Sequence, residues 1–269
     1  MLETEQLSVQ FGGHLAVDQV SCRFNAGTLT AIVGPNGAGK TTYFNLISGQ
    51  LPASKGRVLL EGEDISALSA PLRARKGLGR AFQLTQLFPQ LSVIENVRLA
   101  VQARAQSRDR SKLAWLDLLS LWSDKKAWID ETEALLAEVQ LSAKADLAAA
   151  SLSHGDQRKL EVALLMALKP KVYMFDEPTA GMSVDDVPII LGLIQRLKRQ
   201  SDRTILLVEH KMDVVHQLAD RIVVLHQGCL VADGAPTDVM ASTIVQQAYL
   251  GKSPEGLPSP LKAEARSLI

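Results

Sequence analysis

One short run constrains this chain more than any other: Gly34-Pro35-Asn36-Gly37-Ala38-Gly39-Lys40-Thr41. It fits the pattern G-x-x-x-x-G-K-[ST]. The preceding residues, Thr28 to Val33, form a mostly apolar run that stops at Gly34, as a buried strand does. Behind the loop, Phe44, Ile47 and Leu51 recur at helical spacing. Strand, glycine loop and helix make the βα unit of a nucleotide-binding core. Phosphates carry closely spaced negative charges, and such a loop meets them with backbone N–H groups, a helix N-terminal dipole and one ammonium. Glycine lets the backbone approach with no side chain in the way. The expected phosphate cradle is Gly34, Pro35, Asn36, Gly37, Ala38, Gly39, Lys40, Thr41 and Thr42. Lys40 is expected on the terminal phosphates and the Thr41 hydroxyl on Mg²⁺.

The rest of the chain supplies an α/β setting. Leu7 to Phe11 and Val20 to Phe24 alternate apolar and polar residues, with Gly12-Gly13 and Asn25-Ala26-Gly27 as turns, so an N-terminal β region is expected. Val172 to Phe175 and Thr204 to Val208 read as strands. Val187, Ile190, Leu191, Ile194 and Leu197 mark one helix, and Met212, Val215 and Ala219 another. Arg221 to Leu225 and Cys229 to Ala232 flank His226-Gln227-Gly228 as a hairpin. Between these parts, residues 93–169 are rich in Ala, Leu, Gln, Lys and Glu. Trp128, Ile129, Leu135, Leu136 and Val139 fit the apolar face of a helix there. The charged stretch from Arg104 to Lys112 reads as a solvated loop or helix end. The expected division is a nucleotide-binding core over 1–92 and 170–251, an α-helical subdomain over 93–169, and a flexible tail over 252–269 carrying Pro254, Pro258 and Pro260.

Charge and composition narrow the function classes. The chain has 29 Lys+Arg against 29 Asp+Glu, which argues against a globally basic nucleic-acid binder. Cys22 and Cys229 lie far apart and form no CxxC, so neither a zinc ribbon nor a disulfide framework is supported, and a reducing compartment is the simpler reading. No apolar run reaches the roughly 18 residues of a bilayer span. The start, Met1-Leu2-Glu3-Thr4-Glu5, is acidic and unlike a signal peptide. A cytoplasmic protein is expected, with any membrane association made through a partner.

Three further places carry chemistry. Asp176 and Glu177 close the apolar strand that starts at Val172, and Pro178 follows. Alternation along a strand sends the two carboxylates to opposite sides, so one can serve Mg²⁺ while the other faces an attacking water. His210 follows the strand ending at Val208, where it can hold a γ-phosphate or that water. Leu152-Ser153-His154-Gly155-Asp156-Gln157 reads locally as a helix start, with Ser153 as N-cap and Asp156 three residues on. The same group, an N-terminus with a serine hydroxyl and a glycine, suits a phosphate.

Taken together, these residues resemble the ATP-binding subunits of ABC transporters. Leu152 to Gln157 is similar to their signature motif, Gly34 to Thr41 to Walker A and Val172 to Glu177 to Walker B. Gln83 resembles the Q-loop glutamine, His210 the switch histidine, and Phe11 stands where the family places an adenine-stacking aromatic. The order and spacing agree over residues 1 to about 251. Gly77 to Gln83, Leu87 to Val97, Ala180-Gly181-Met182, Val208 to Met212 and Ala248 to Gly251 are similar to the branched-chain (hydrophobic) amino-acid uptake type. A urea or amide importer has a closely similar layout. Two departures stand out: His154 where glycine is commonest in the wider family, and Ser183 where many relatives carry aspartate.

The resemblance implies a P-loop ABC-cassette fold with an N-terminal antiparallel β region and an inserted helical subdomain. It implies an ATPase that works with ATP and Mg²⁺. Two such subunits would meet head to tail, with a heterodimer preferred. Lys40, Thr41, Gln83 and Asp176 would hold phosphates and Mg²⁺. The partner's Ser153, Gly155 and Asp156 would complete the nucleotide site, Glu177 would polarise water, and His210 would position it. Transmembrane permease subunits, and indirectly a periplasmic solute-binding protein, are implied partners at the cytoplasmic face of the inner membrane. The apolar stretch Leu84 to Leu91, with Phe88, is expected to border the groove that receives a membrane-domain helix. A soluble ABC ATPase of translation or DNA repair fits less well, because the chain has one cassette and no sustained heptads. A non-catalytic cassette is disfavoured by the presence of Lys40, Asp176, Glu177 and His210.

Overall fold

The computed structural model describes residues 1–81, 87–108, 123–243 and 245. The N-terminal alternation produces an antiparallel sheet. Strands β1 (Leu2–Phe11) and β2 (His14–Phe24) form a hairpin around Gly12-Gly13. β1 also pairs with β4 (Lys55–Leu60), which pairs with the short β5 (Glu63–Asp64). The strands are longer than the sequence pattern indicates because Gln6 and Gln19 take positive φ, and the register slips there. A slip breaks the period-two pattern without ending the strand. Leu2, Leu7 and Val9 of β1, with Val17, Val20 and Phe24 of β2, are buried against the second sheet's layer.

That second sheet has the order β10-β9-β3-β8-β7-β6. Its members are β3 (Leu29–Val33), β6 (Leu78–Ala81), β7 (Val172–Asp176), β8 (Thr204–Val208), β9 (Arg221–His226) and β10 (Cys229–Gly234). All pairings are parallel except β9 with β10. Every residue of β3, β7 and β8 is buried, which explains their continuous apolar runs: a parallel sheet is covered on both faces. The parallel arrangement sends the loops after β3, β6, β7 and β8 to one edge. Ligands of open α/β sheets bind outside that carboxyl edge. Gln227 and Gly228 turn the β9–β10 hairpin, both with positive φ, as a two-residue turn requires.

Helix α1 (Lys40–Ser48) follows the glycine loop, and α2 (Ala70–Lys76) packs beside it. Helices α3 (Val93–Arg108), α4 (Ser123–Glu138) and α5 (His154–Leu168) pack on one another through Val97, Val101, Leu135, Leu136 and Leu160. Helices α6 (Val187–Lys198), α7 (Met212–Leu218) and α8 (Pro236–Ala241) complete the α/β part.

Several local expectations need correction. Leu51 is not part of the first helix: Gly49 adopts a left-handed conformation that ends α1 at Ser48, and Leu51 packs beyond it. Ile129 is exposed, so the apolar face of α4 is narrower than its spacing suggests. Arg104 stands toward the end of a helix, one of the two expected settings, but it is not solvated. It lies within α3, pairs with both oxygens of Glu131 on α4 at 2.7 and 2.6 Å, and donates to the Ala167 carbonyl of α5 at 2.9 Å. Those contacts draw the Glu131 carboxyl down to about 2, because the Arg104 hydrogen bonds outweigh partial burial. The tail over 252–269 and the charged residues 109–112 lie outside the described residues.

The carboxyl end of α1 is held by a buried arginine. Arg73, only 2 % exposed, donates to the carbonyls of Leu46 and Ile47 at 2.7 Å each, to Leu68 at 3.0 Å and to Ser66 at 2.8 Å. A cation among the last carbonyls of a helix satisfies them and complements its dipole. Arg73→Met should lower unfolding stability by about 3 kcal/mol, the scale of lost hydrogen bonds to a charged group. The check is a lower urea midpoint at unchanged m-value; a midpoint equal to the parent's would mean that apolar packing alone holds α1.

Candidate nucleotide-binding and hydrolysis site

The glycine loop is shaped by contacts that allow no side chain at two positions. Gly34 has φ +149°, and a Cβ there would lie 2.1 Å from the Leu225 carbonyl oxygen. Gly39 has φ +97°, and its Cβ would lie 2.6 Å from the Ala16 carbonyl oxygen. The loop is thus pressed between β9 and β2. The β9–β10 turn secures it: the Gly228 amide donates to the Ala38 carbonyl at 3.0 Å, and the Asp18 amide donates to the Gly228 carbonyl at 2.9 Å. Gly39 precedes α1 and offers no capping side chain, so the first amides of α1 keep their capacity for an anion. Asn36, Gly37 and Thr41 are exposed, while Pro35 and Thr42 are half-buried.

Lys40 is 6 % exposed, and its ammonium folds over the loop to donate to Gly34 and Pro35 carbonyls at 2.7 and 2.9 Å. Burial pulls its pKa below the usual lysine value, against the opposing pull of Glu177 and Asp176. Those two carboxylates are therefore close enough to act on it, and the structure brings the phosphate loop and the acidic pair into one site.

Asp176 and Glu177 part company, although not by strand alternation. β7 ends at Asp176, and Glu177 takes a left-handed φ of +50° with its amide donating to the Val208 carbonyl at 2.9 Å. The chain leaves the sheet at that residue. Asp176 stays buried: its Oδ2 accepts from Arg80 at 2.6 Å, and its Oδ1 has no hydrogen-bond partner among the described residues. A buried carboxylate oxygen without a donor suits a cation, so the chemistry of Asp176 fits a ligand to Mg²⁺. Glu177 emerges at the rim, where its Oε1 lies 2.9 Å from His210 Nε2.

Two further residues organise the site and were not singled out as functional by sequence reasoning. Arg80 also donates through Nη1 to Asn45, Ser48 and Gln50 at 2.7, 3.0 and 2.8 Å, and its guanidinium lies 5.5 Å from the Phe44 ring centre. It thereby ties α1 to β6 and β7. Glu209, buried at 3 % exposure, accepts from the Thr179 hydroxyl at 2.6 Å and from the His210 amide at 3.0 Å. It couples the loops after β7 and β8 and sets where His210 stands. Neither role has a local sequence signal, because both depend on partners distant along the chain.

The signature segment forms the expected helix start. Ser153 caps α5, accepting from the Asp156 amide at 3.2 Å. Ser153 and His154 face outward, but Asp156 does not: its side chain is 6 % exposed and is engaged by Ser153, Lys144 and Lys159. The expectation that the Asp156 carboxylate contacts nucleotide is therefore dropped. The bonds of this segment run to Lys144, Lys159 and Leu152 rather than to the phosphate loop. Ser183, the other departure, donates to Asp186 at 2.8 Å, and Asp186 accepts from Lys159 at 2.9 Å. Phe11 is half exposed at the end of β1, in the hairpin whose β2 arm backs Gly39. Gln83 lies outside the described residues, as do Leu84 to Gln86. Beside the site, an apolar cleft of about 440 Å³ is lined by Ala81, Phe88, Leu99, Ala100, Leu164 and Leu168. Phe88 is 58 % exposed there, and the buried Glu161 contributes to the cleft an Oε1 with no partner among the described residues.

Residues 17–180 match the family model of the ABC transporter. The chain is 35 % identical over 259 residues to the high-affinity branched-chain amino acid transport ATP-binding protein BraF of Pseudomonas aeruginosa, covering 94 % of this chain and 98 % of that one. It is 32 % identical over 251 residues to the lipopolysaccharide export system ATP-binding protein LptB of Escherichia coli, covering 93 % and 97 %. Its fold is similar to the crystal structure of a nucleotide-free ATP-binding cassette from an ABC transporter, with a TM-score of 0.75, 30 % identity and coverage of 94 % and 99 %.

Removing Arg80 should expose how much rests on it. Arg80→Met leaves Asp176 as an uncompensated buried charge, and a stability loss of about 3–5 kcal/mol is expected. Adding Asp176→Asn should recover part of it. Urea denaturation of the two variants checks this; a double variant no more stable than Arg80→Met would show that the charge pair is not the cause.

Proposed function

The chain belongs to the ABC transporter family as an ATP-binding ATPase, and from that premise we propose that it powers an importer of branched-chain or other amino acids. The family assignment rests on the match over residues 17–180 and on a relative 35 % identical over nearly the full chain. Two things support the substrate class: the motifs shared with the hydrophobic amino-acid uptake type, and the name of BraF, a branched-chain amino acid transport protein. The similarity to LptB at 32 % keeps another cargo as the competing reading.

The observation that carries the catalytic reading is the Glu177–His210 contact at 2.9 Å on the rim, beside a phosphate loop and a buried carboxylate. In this reading the loop amides and Lys40 bind the β- and γ-phosphates of ATP. The Lys40 ammonium exchanges its two carbonyl contacts for phosphate oxygens, which hold it more strongly because they are charged. Mg²⁺, when bound at Asp176 and Thr41, neutralises charge on the phosphates and polarises them. Glu177 accepts hydrogen from the attacking water. His210, anchored at its amide by Glu209, fixes the Glu177 carboxylate and completes the water's placement. Phe11 stacks on adenine, and Gln83 contributes to the phosphate and Mg²⁺ site.

ATP is shared between subunits in this account. The outward face of Ser153 and Gly155 on one cassette completes the γ-phosphate site of its partner, so ATP favours the closed pair over the open one. A heterodimer with a second ABC ATPase is the preferred pair. The apolar cleft beside β6 and α3 receives a helix of the permease, with Phe88 packing on its apolar side and Glu161 accepting one of its donors. Among the described residues no helix is long and apolar enough to cross a membrane, so the permease contact would hold the protein at the cytoplasmic face of the inner membrane. A periplasmic solute-binding protein would act indirectly, through the permease.

Glu177→Gln should retain ATP binding and slow turnover by about 10²–10⁴, the range for loss of a general base. ATP affinity and steady-state hydrolysis are measured side by side. Near-normal turnover would remove Glu177 from its role. Purification of the tagged chain from solubilised membranes, followed by identification of bound solute, tests the importer: co-purifying multi-span proteins with an amino acid support it, and a lipid cargo overturns the substrate class.

A further inference from the structure

The signature segment contains a charge that works against its proposed task. Asp156 lies in the turn that faces a partner's triphosphate in the proposed function, on which this inference rests. A carboxylate near phosphate repels it, and the repulsion grows where water is excluded. The structure surrounds that carboxylate with compensation. Lys159, one helical turn on in α5, places its ammonium 2.7 Å from Oδ1. Lys144, at the end of the 3₁₀ turn Ser142–Lys144, reaches Oδ2, which also accepts from the Ser153 hydroxyl at 2.9 Å. Burial alone would raise the Asp156 pKa, but the bonds from Lys144, Lys159 and Ser153 outweigh it and leave the group at about 2, hence ionised at neutral pH.

The network extends one step further. Lys159, with 7 % of its side chain exposed, also lies 2.9 Å from Asp186, whose other oxygen accepts from Ser183. Asp186 Oδ2 in turn sits so close to Gly155 that a Cβ there would be 3.1 Å away. Two carboxylates and two ammoniums thus form a group of zero net charge behind the outward-facing Ser153 and His154 and the partly buried Gly155. The amides of His154 and Gly155, in the first turn of α5, have no intrahelical acceptor.

We propose that Lys144 and Lys159 are positioning residues that cancel the Asp156 carboxylate, keeping the start of α5 receptive to the partner's γ-phosphate, and that Lys159 and Asp186 fix this turn to the loop after β7. Lys159 is buried and its removal would disturb packing, whereas Lys144 is 45 % exposed and can be replaced with little effect on the fold. The two lysines therefore separate structural from electrostatic consequences.

The test measures ATP hydrolysis by the full chain, purified with the subunits it brings down. Lys144→Ala should raise KM for ATP about tenfold, the scale of one unscreened charge near a phosphate, with kcat changed much less. Lowering the salt concentration should widen the difference. Asp156→Gln added to Lys144→Ala should return KM to within about twofold of the parent, because the charge needing compensation is gone. A double variant as weak as Lys144→Ala, or a Lys144→Ala chain with parental KM, would overturn the proposal. Ser153→Arg tests the underlying reading separately: if it hydrolyses ATP normally, residues 152–157 do not face a partner's nucleotide.

Discussion

The carboxyl edge of the parallel sheet is organised by one buried ion pair, Arg80 with Asp176. A carboxylate with no exposed surface is tolerated in an apolar interior only when a cation and hydrogen bonds accompany it. Arg80 provides both, and its remaining contacts are on the helix that follows the phosphate loop and on Gln50 just beyond its end. One side chain therefore links β6, β7 and α1. The helix behind the loop that would cradle phosphate and the carboxylate that would face Mg²⁺ are tied together by this guanidinium, and Asp176 Oδ1 is left with no hydrogen-bond partner among the described residues.

The reach of sequence reasoning follows from the range of the forces involved. The phosphate loop was legible because its chemistry is local: the glycines, lysine and threonine are contiguous, and flanking apolar periodicity identifies strand and helix. The buried parallel strands β3, β7 and β8 were legible for the same reason. The left-handed Glu177 was not. Alternation gave the correct divergence of Asp176 and Glu177 on the wrong ground, since the chain turns out of the sheet at that residue. Arg80, Arg104 and Glu209 were illegible as organisers because each bonds to residues far along the chain. A charged residue reads as solvated until its partners are known, as Arg104 did.

The departure at Ser183 acquires a setting in three dimensions. Ser183 caps the turn that presents Asp186, and Asp186 shares Lys159 with Asp156 behind the signature helix. The loop after β7 and the start of α5 are thus joined within one subunit. Movement of either would have to carry the other or break the Lys159–Asp186 ion pair, in which the ammonium is buried and the carboxylate partly exposed. The helical part has its own equivalent in Arg104, whose contacts to α4 and α5 favour displacement of these helices as a body.

The backbone at Glu177 has a consequence for how this protein tolerates change. A non-glycine residue at φ +50° is held in a sparsely populated conformation, and such strain is relieved by glycine or asparagine. Screening variants for resistance to heat alone would thus favour replacing the very acid that contacts His210. Under the role proposed for Glu177, durability and turnover pull in opposite directions at a single torsion angle, and any thermostabilised form of the protein should be sequenced at this codon before its catalytic competence is assumed.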